Sequence, residues 1–123
     1  RLCEPCRVLA VCDETGLPGL EAILAGLPEG VTAEVIAEVP TAADERSLPG
    51  AASVTWAPRD RGLSWEAALA AAVGDTGSDS VYAVGGNELA LGARRMAREA
   101  GFDDERITFC SYWRAQRERR ARR

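Results

Sequence analysis

Short apolar runs alternate with stretches of helical periodicity along the whole chain. Arg7–Asp13 (RVLAVCD) is a nearly continuous apolar run closed by turn-forming residues, the pattern of a strand buried on both faces. Leu17, Leu20, Ile23, Leu24 and Leu27 recur at helical spacing, and Pro18 is tolerated in a first turn, so Leu17–Leu27 is expected to be a helix. Pro28–Gly30 breaks it, and Val31–Val39 (VTAEVIAEV) is a β-branched second strand ended by Pro40. Thr41–Gly50 is polar, with room for one short helical turn. Ser53–Arg59 (SVTWAPR) makes a third strand, and Ser64 is placed to cap a helix over Trp65–Val73. After a loop at Gly74–Asp79 come a fourth strand, Ser80–Gly85, and a helix Glu88–Ala100 capped by Asn87 and ended by Gly101. Arg106–Trp113 (RITFCSYW) is the fifth strand.

Strands that alternate with helices through short connections pair in parallel by right-handed crossovers. The expectation is a three-layer, Rossmann-like α/β fold. Its five-stranded parallel sheet has the order 3-2-1-4-5, with helices on both faces. Residues 1–6 form an N-terminal extension, 7–114 the α/β domain and 115–123 an Arg-rich tail.

Composition changes this picture little. The chain has 123 residues, room for one domain, and 46% of them are apolar. All 15 basic residues are Arg. Six of them fall in residues 114–123 with one Glu, so the tail carries +5 and the remaining 113 residues carry −9 of the net −4. An acidic body repels nucleic acid, and the tail reads as a solvated segment or an anion-binding one. No run approaches the ~18 apolar residues of a membrane span, and no signal segment opens the chain, so a cytoplasmic setting is expected. The absence of His excludes Ser–His and Cys–His nucleophile systems. Cys3 and Cys6 form a C-x-x-C, but it precedes the first strand and contains Pro5. A redox or zinc role therefore stands behind plain N-terminal thiols.

In an open parallel sheet, ligands bind beyond the carboxyl ends of the strands where the strand order reverses. That rule selects Asp13–Pro18, Glu38–Pro40, Arg59–Arg61, Gly85–Glu88 and Tyr112–Arg114. In the first, Gly16 alone offers the close backbone approach that a pyrophosphate needs. Asp13 and Glu14 suit ribose hydroxyls or a flavin edge better than phosphate. Thr15 either donates its hydroxyl to a phosphate or ribose, or caps the helix. Glu38 stands where a carboxylate accepts from an adenosine ribose, or is an exposed strand end; Arg59 and Arg61 neutralise a 2′-phosphate, or are solvated. Gly85, Gly86 and Asn87 either leave room for a flat ligand at a helix N-terminus or make a tight turn with an Asn cap. Tyr112 and Trp113 stack on a planar ring or pack on a helix.

Taken in order, Asp13-Glu14-Thr15 with Leu17-Pro18, Glu38-Val39-Pro40 with Ala42-Ala43-Asp44-Glu45, Val54-Thr55-Trp56 with Arg59, Val81-Tyr82-Ala83 and Tyr112-Trp113-Arg114 resemble the C-terminal domain of the siderophore-interacting protein family. The resemblance spans roughly residues 7–114. It implies the NAD(P)H-side domain of a flavin-dependent ferric-siderophore reductase, with NAD(P)H as its cofactor. FAD would be held by a separate flavin-binding barrel, and the ferric siderophore would be reached indirectly. The resemblance further implies that Asp13–Thr15 faces the flavin and nicotinamide cleft, that the Gly86 turn borders the nucleotide, and that Tyr112–Arg114 lies near the flavin. The family pattern has Gly where Cys12 stands, Gly-Glu where this chain has Gly86-Asn87, and Gly where Ser111 precedes Tyr112. These departures, with the barrel unaccounted for, support the alternative of a non-catalytic binding or interaction module acting as a homodimer.

Overall fold

A computed structural model describes residues 6–74 and 78–111. Five strands, β1 (Cys6–Cys12), β2 (Val31–Val39), β3 (Ala51–Pro58), β4 (Ser80–Gly85) and β5 (Ile107–Ser111), form one sheet of order 3-2-1-4-5. Every pairing is parallel. The central strand β1 pairs with β2 on one side and β4 on the other, Val11 lying opposite Ile36 and Ala83. Its apolar run is therefore explained by burial on both faces: Val8 to Cys12 are 3% exposed or less.

Successive side chains of a strand point to opposite faces, so each face needs its own cover. Helix α1 (Leu17–Ala25) covers one, where Leu17, Leu20 and Leu24 pack on Ala10, Cys12, Val35 and Ala37. Helices α2 (Trp65–Gly74) and α3 (Asn87–Glu99) cover the other, where Trp65, Leu69, Leu89, Ala93 and Ala97 pack on Leu9, Val11, Val81 and Ile107. The Ala content of α3 lets it approach the sheet closely.

The element order and sheet order match the expectation, and the boundaries move for local reasons. Helix α1 stops at Ala25 because Gly26 and Leu27 turn their N–H groups to Ile23 and Leu24 instead of continuing the ladder. Strand β3 begins at Ala51, before the β-branched residues, because Gly50 takes φ +95° and turns the chain into the sheet. The polar stretch after Pro40 holds one 3₁₀ turn, Ala42–Asp44, closed by a reciprocal box between Thr41 and Asp44. Ser64 Oγ accepts from Ala67 N at 3.4 Å at the start of α2.

The expected Asn87 cap is not what forms. Gly86 is the N-cap of α3, with φ −65° and ψ 163°, and Asn87 is already helical. The carbonyl of Gly86 accepts the first intrahelical bond, from Ala90 N at 3.0 Å, and no side chain caps the helix. Arg106 belongs to a 3₁₀ turn, Asp104–Arg106, that precedes β5. Among the described residues, no helix is long and apolar enough to cross a membrane.

Candidate functional site

The strand order reverses between β1 and β4, and the loops leaving their carboxyl ends meet there. One side chain joins them. Asp13 Oδ1 accepts from Thr15 N at 3.0 Å, Thr15 Oγ1 at 2.6 Å and Gly16 N at 3.1 Å. Its Oδ2 accepts from Gly86 N, on the other loop, at 2.9 Å. The first three bonds are an Asx turn, whose signal in the sequence is an Asp followed two residues later by Thr and then Gly. The fourth bond has no local signature.

Thr15 therefore neither caps α1 nor presents a free hydroxyl proton. Gly16 is the N-cap of α1, again without a side-chain cap. Gly16 is glycine because of β4: a Cβ there would lie 2.0 Å from the Val84 carbonyl oxygen. Gly85 is glycine because of Asp13, whose Oδ1 would lie 2.6 Å from its Cβ. At Gly86, a Cβ would meet only Asp13 Oδ2, at 3.3 Å. The close approach that Gly16 and Gly85 permit is between the two loops themselves.

A second cluster lies at the carboxyl ends of β2 and β3. Arg59 Nη1 donates to Glu14 Oε1 and to Glu38 Oε1, each at 3.0 Å, and its Nη2 donates to Glu14 Oε2. Glu38 Oε2 accepts the backbone N–H of Trp65, the first residue of α2, at 2.9 Å. The Glu38 side chain is 12% exposed, against 38% for Glu14 and 42% for Arg59. Hydrogen bonding to Arg59 holds the Glu14 carboxyl below its ordinary range, outweighing the opposing effect of partial burial. The same bonds, Glu14 first and Glu38 second, push the guanidinium further above its already high value. Arg61 lies exposed in the 3₁₀ turn Arg59–Arg61. Beside that turn, Thr55, Trp56, Leu63, Ser64, Ala67 and Ala68 line a mostly apolar cleft of about 340 Å³.

The predicted residues thus fall into two neighbouring groups, linked by the β1 loop: Asp13, Thr15, Gly16, Gly85 and Gly86 in one, Glu14, Glu38 and Arg59 in the other. Asn87 stands exposed on the first turn of α3. Tyr112, Trp113 and Arg114 lie outside the described residues, as do Cys3 and the Arg-rich tail. Two participants were missed from sequence. The Trp65 amide is a backbone group, and its partner Glu38 lies 27 residues away near the end of β2, so no local signal marks it. The Cys12 thiol lies fully buried at the foot of the β1 loop, and burial, with the Asp13 charge adding to it, pushes it from 9.0 up to about 12.

A family model described as "Siderophore-interacting protein" matches residues 6–116. A search of curated protein sequences returns no match. Among solved structures, a siderophore utilization protein from T. fusca superposes with a TM-score of 0.73 at 27% identity, over 92% of this chain and 46% of that one. The siderophore-interacting protein SipS from Aeromonas hydrophila gives 0.69 at 19% identity, over 91% and 52%. The ferredoxin reductase of carbazole 1,9a-dioxygenase, in its FAD apo form, gives 0.63 at 16% identity, over 90% and 34%. The chain spans about half the length of the first two. The last two likenesses concern the fold, which is that of a ferredoxin-reductase-like α/β domain.

Proposed function

Since the chain belongs to the siderophore-interacting protein family, we propose that it is the NAD(P)H-side domain of a flavin-dependent ferric-siderophore reductase. It would act in cytoplasmic iron acquisition, paired with a flavin-binding barrel that carries FAD, and would meet the ferric siderophore only through that flavin. The observation that carries this reading is the meeting of the β1 and β4 loops at the strand-order reversal, with Glu38, one residue before the end of β2, linked to the β1 loop through Arg59.

The residues fit a dinucleotide unevenly. The β1 loop offers its N–H groups to Asp13, so a pyrophosphate would find its donors at the start of α3 instead. There the N–H groups of Asn87 and Glu88 have no side-chain cap, and the helix dipole favours an anion. Glu38 can accept from a ribose hydroxyl. The chemistry supplied by the bound cofactors is hydride transfer from nicotinamide to flavin and onward passage of electrons to ferric iron. The contribution of this chain is alignment: Asp13 fixes the relative position of the two loops beside which a ring would lie.

Calorimetric titration of the chain with NADH and NADPH, with and without a flavoprotein partner, tests the proposal. Saturable binding weakened at least about fivefold by Gly86→Val, which puts side-chain bulk at the α3 terminus, is the expected result. One observation favours a second reading, a non-catalytic interaction module working as a homodimer: Asp13 already fills the anion position of the β1 loop. A chain that is dimeric and binds neither dinucleotide, even beside a flavin partner, would select it.

A further inference from the structure

We propose that Glu14, Arg59 and Glu38 form a selectivity filter that accepts adenosine as a free ribose diol and rejects a 2′-phosphate, making NADH the preferred donor. This rests on the dinucleotide-binding function proposed above and decides between two recognition chemistries that the sequence leaves open. An Arg at the end of a strand can neutralise a 2′-phosphate, and a carboxylate there can accept from a 2′-hydroxyl. The structure places both at one point and shows which chemistry holds the other.

Arg59 is committed. Its guanidinium meets Glu14 through both terminal nitrogens and Glu38 through one. The trio carries a net charge of −1. A 2′-phosphate adds up to two negative charges, so it would have to displace Glu14 from Arg59 while remaining next to Glu38. Glu38 cannot swing away cheaply: it is nearly buried, and its other oxygen holds the first amide of α2. A ribose hydroxyl carries no charge and donates a proton, so it adds a bond to a carboxylate without breaking the pair. The apolar cleft of about 340 Å³ beside the Arg59–Arg61 turn suits a flat base attached to that ribose. Like-charge exclusion of the wrong ligand is a common route to specificity.

The test is a titration of the full chain with NADH, NADPH, AMP and adenosine 2′,5′-bisphosphate at low ionic strength. The readouts are calorimetry and the NMR shifts of the Trp65 and Glu38 amides. The expected result is that NADH binds about tenfold or more tighter than NADPH, a gap of about 1.4 kcal/mol. AMP should move the Trp65 amide where the bisphosphate does not. Glu14→Gln removes one of the two carboxylates that hold Arg59 and should narrow or invert the preference, while Arg59→Met should weaken NADPH further. Glu38→Gln keeps one acceptor, enough for the Trp65 amide, while giving up the charge beside Arg59, and provides a second variant in which NADPH gains. Equal binding of the two donors, or tighter binding of NADPH by the native chain, overturns the filter and leaves the dinucleotide function standing. Binding of neither overturns that function and the filter with it.

Discussion

The Asp13 carboxylate accepts the Gly86 amide at 2.9 Å, tying the loop that leaves β1 to the loop that leaves β4 across 73 residues of sequence. With the three bonds it takes from its own loop, Asp13 works as an internal anion at the strand-order reversal. Asp13→Ala leaves the half-buried Gly86 N–H without its partner, and should cost about 1–3 kcal/mol in urea unfolding. Asp13→Asn should cost nearly as much, because an amide that keeps its oxygen on the Asx turn presents N–H to N–H at Gly86. An Asn variant within about 0.5 kcal/mol of the native chain would show that the bond between the loops carries no weight.

Gly16→Ala separates close approach from backbone freedom. The added methyl would sit 2.0 Å from the Val84 carbonyl oxygen, and strand backbone cannot give way as a side chain can. A loss of about 3 kcal/mol or more is expected. Gly62→Ala is the contrast: Gly62 has φ +75° with nothing within 4 Å of a Cβ, so only the left-handed conformation is penalised, at about 1 kcal/mol. Equal losses at the two positions in thermal unfolding would contradict this assignment.

How far the sequence reveals the site follows from the range of each interaction. Strand and helix order is legible because a parallel strand buried on both faces leaves an uninterrupted apolar run, as in Val8–Cys12, because Val31–Val39 is rich in β-branched residues between turn-forming Gly30 and Pro40, and because α1 and α3 keep a helical stripe. The meeting of the Gly16 and Gly86 loops is legible because topology dictates it. What Asp13 and Arg59 do there is not. Their partners lie 73, 45 and 21 residues away, and a carboxylate bound across a sheet edge looks, in sequence, like any solvated one. The Asn87 cap fails for a smaller reason: extended geometry at Gly86 starts α3 one residue early, before the Asn side chain can act.

Cys12 should be inert to alkylating reagents in the folded chain at pH 8 and should give the protein an alkaline stability limit. Its thiol is pushed up from 9.0 to about 12, first by burial and then by the Asp13 charge, with Arg46 opposing. A raised acid favours its protonated form in the folded state. Its stability contribution is therefore complete below pH 9.0 and fades as the pH rises toward about 12. The stability advantage of the native chain over Cys12→Ala should then shrink above pH 9 with a slope approaching about 1.4 kcal/mol per pH unit. Unfolding curves that run parallel for the two proteins from pH 8 to 11 would contradict the buried thiol.

The Glu14–Arg59 pair should act at the opposite end of the pH scale. Arg59 holds the Glu14 carboxyl below its ordinary value of 4.5, so the pair stabilises the chain above that pH and is lost as the pH falls through the lowered value. Both side chains are more than a third exposed, and solvent screening limits the pair to about 0.2–1 kcal/mol, less in high salt. Arg59→Met should lose that amount at pH 6, and somewhat more because Glu14 and Glu38 then face each other without a cation between them. As the pH falls through the lowered Glu14 value the difference should shrink, since a protonated Glu14 no longer attracts Arg59. Carbon-detected NMR titration of the Glu14 side chain reads the cause directly. Its midpoint should rise toward the ordinary carboxylate value when Arg59 is replaced, and an unmoved midpoint would mean that the guanidinium contact does not persist in solution.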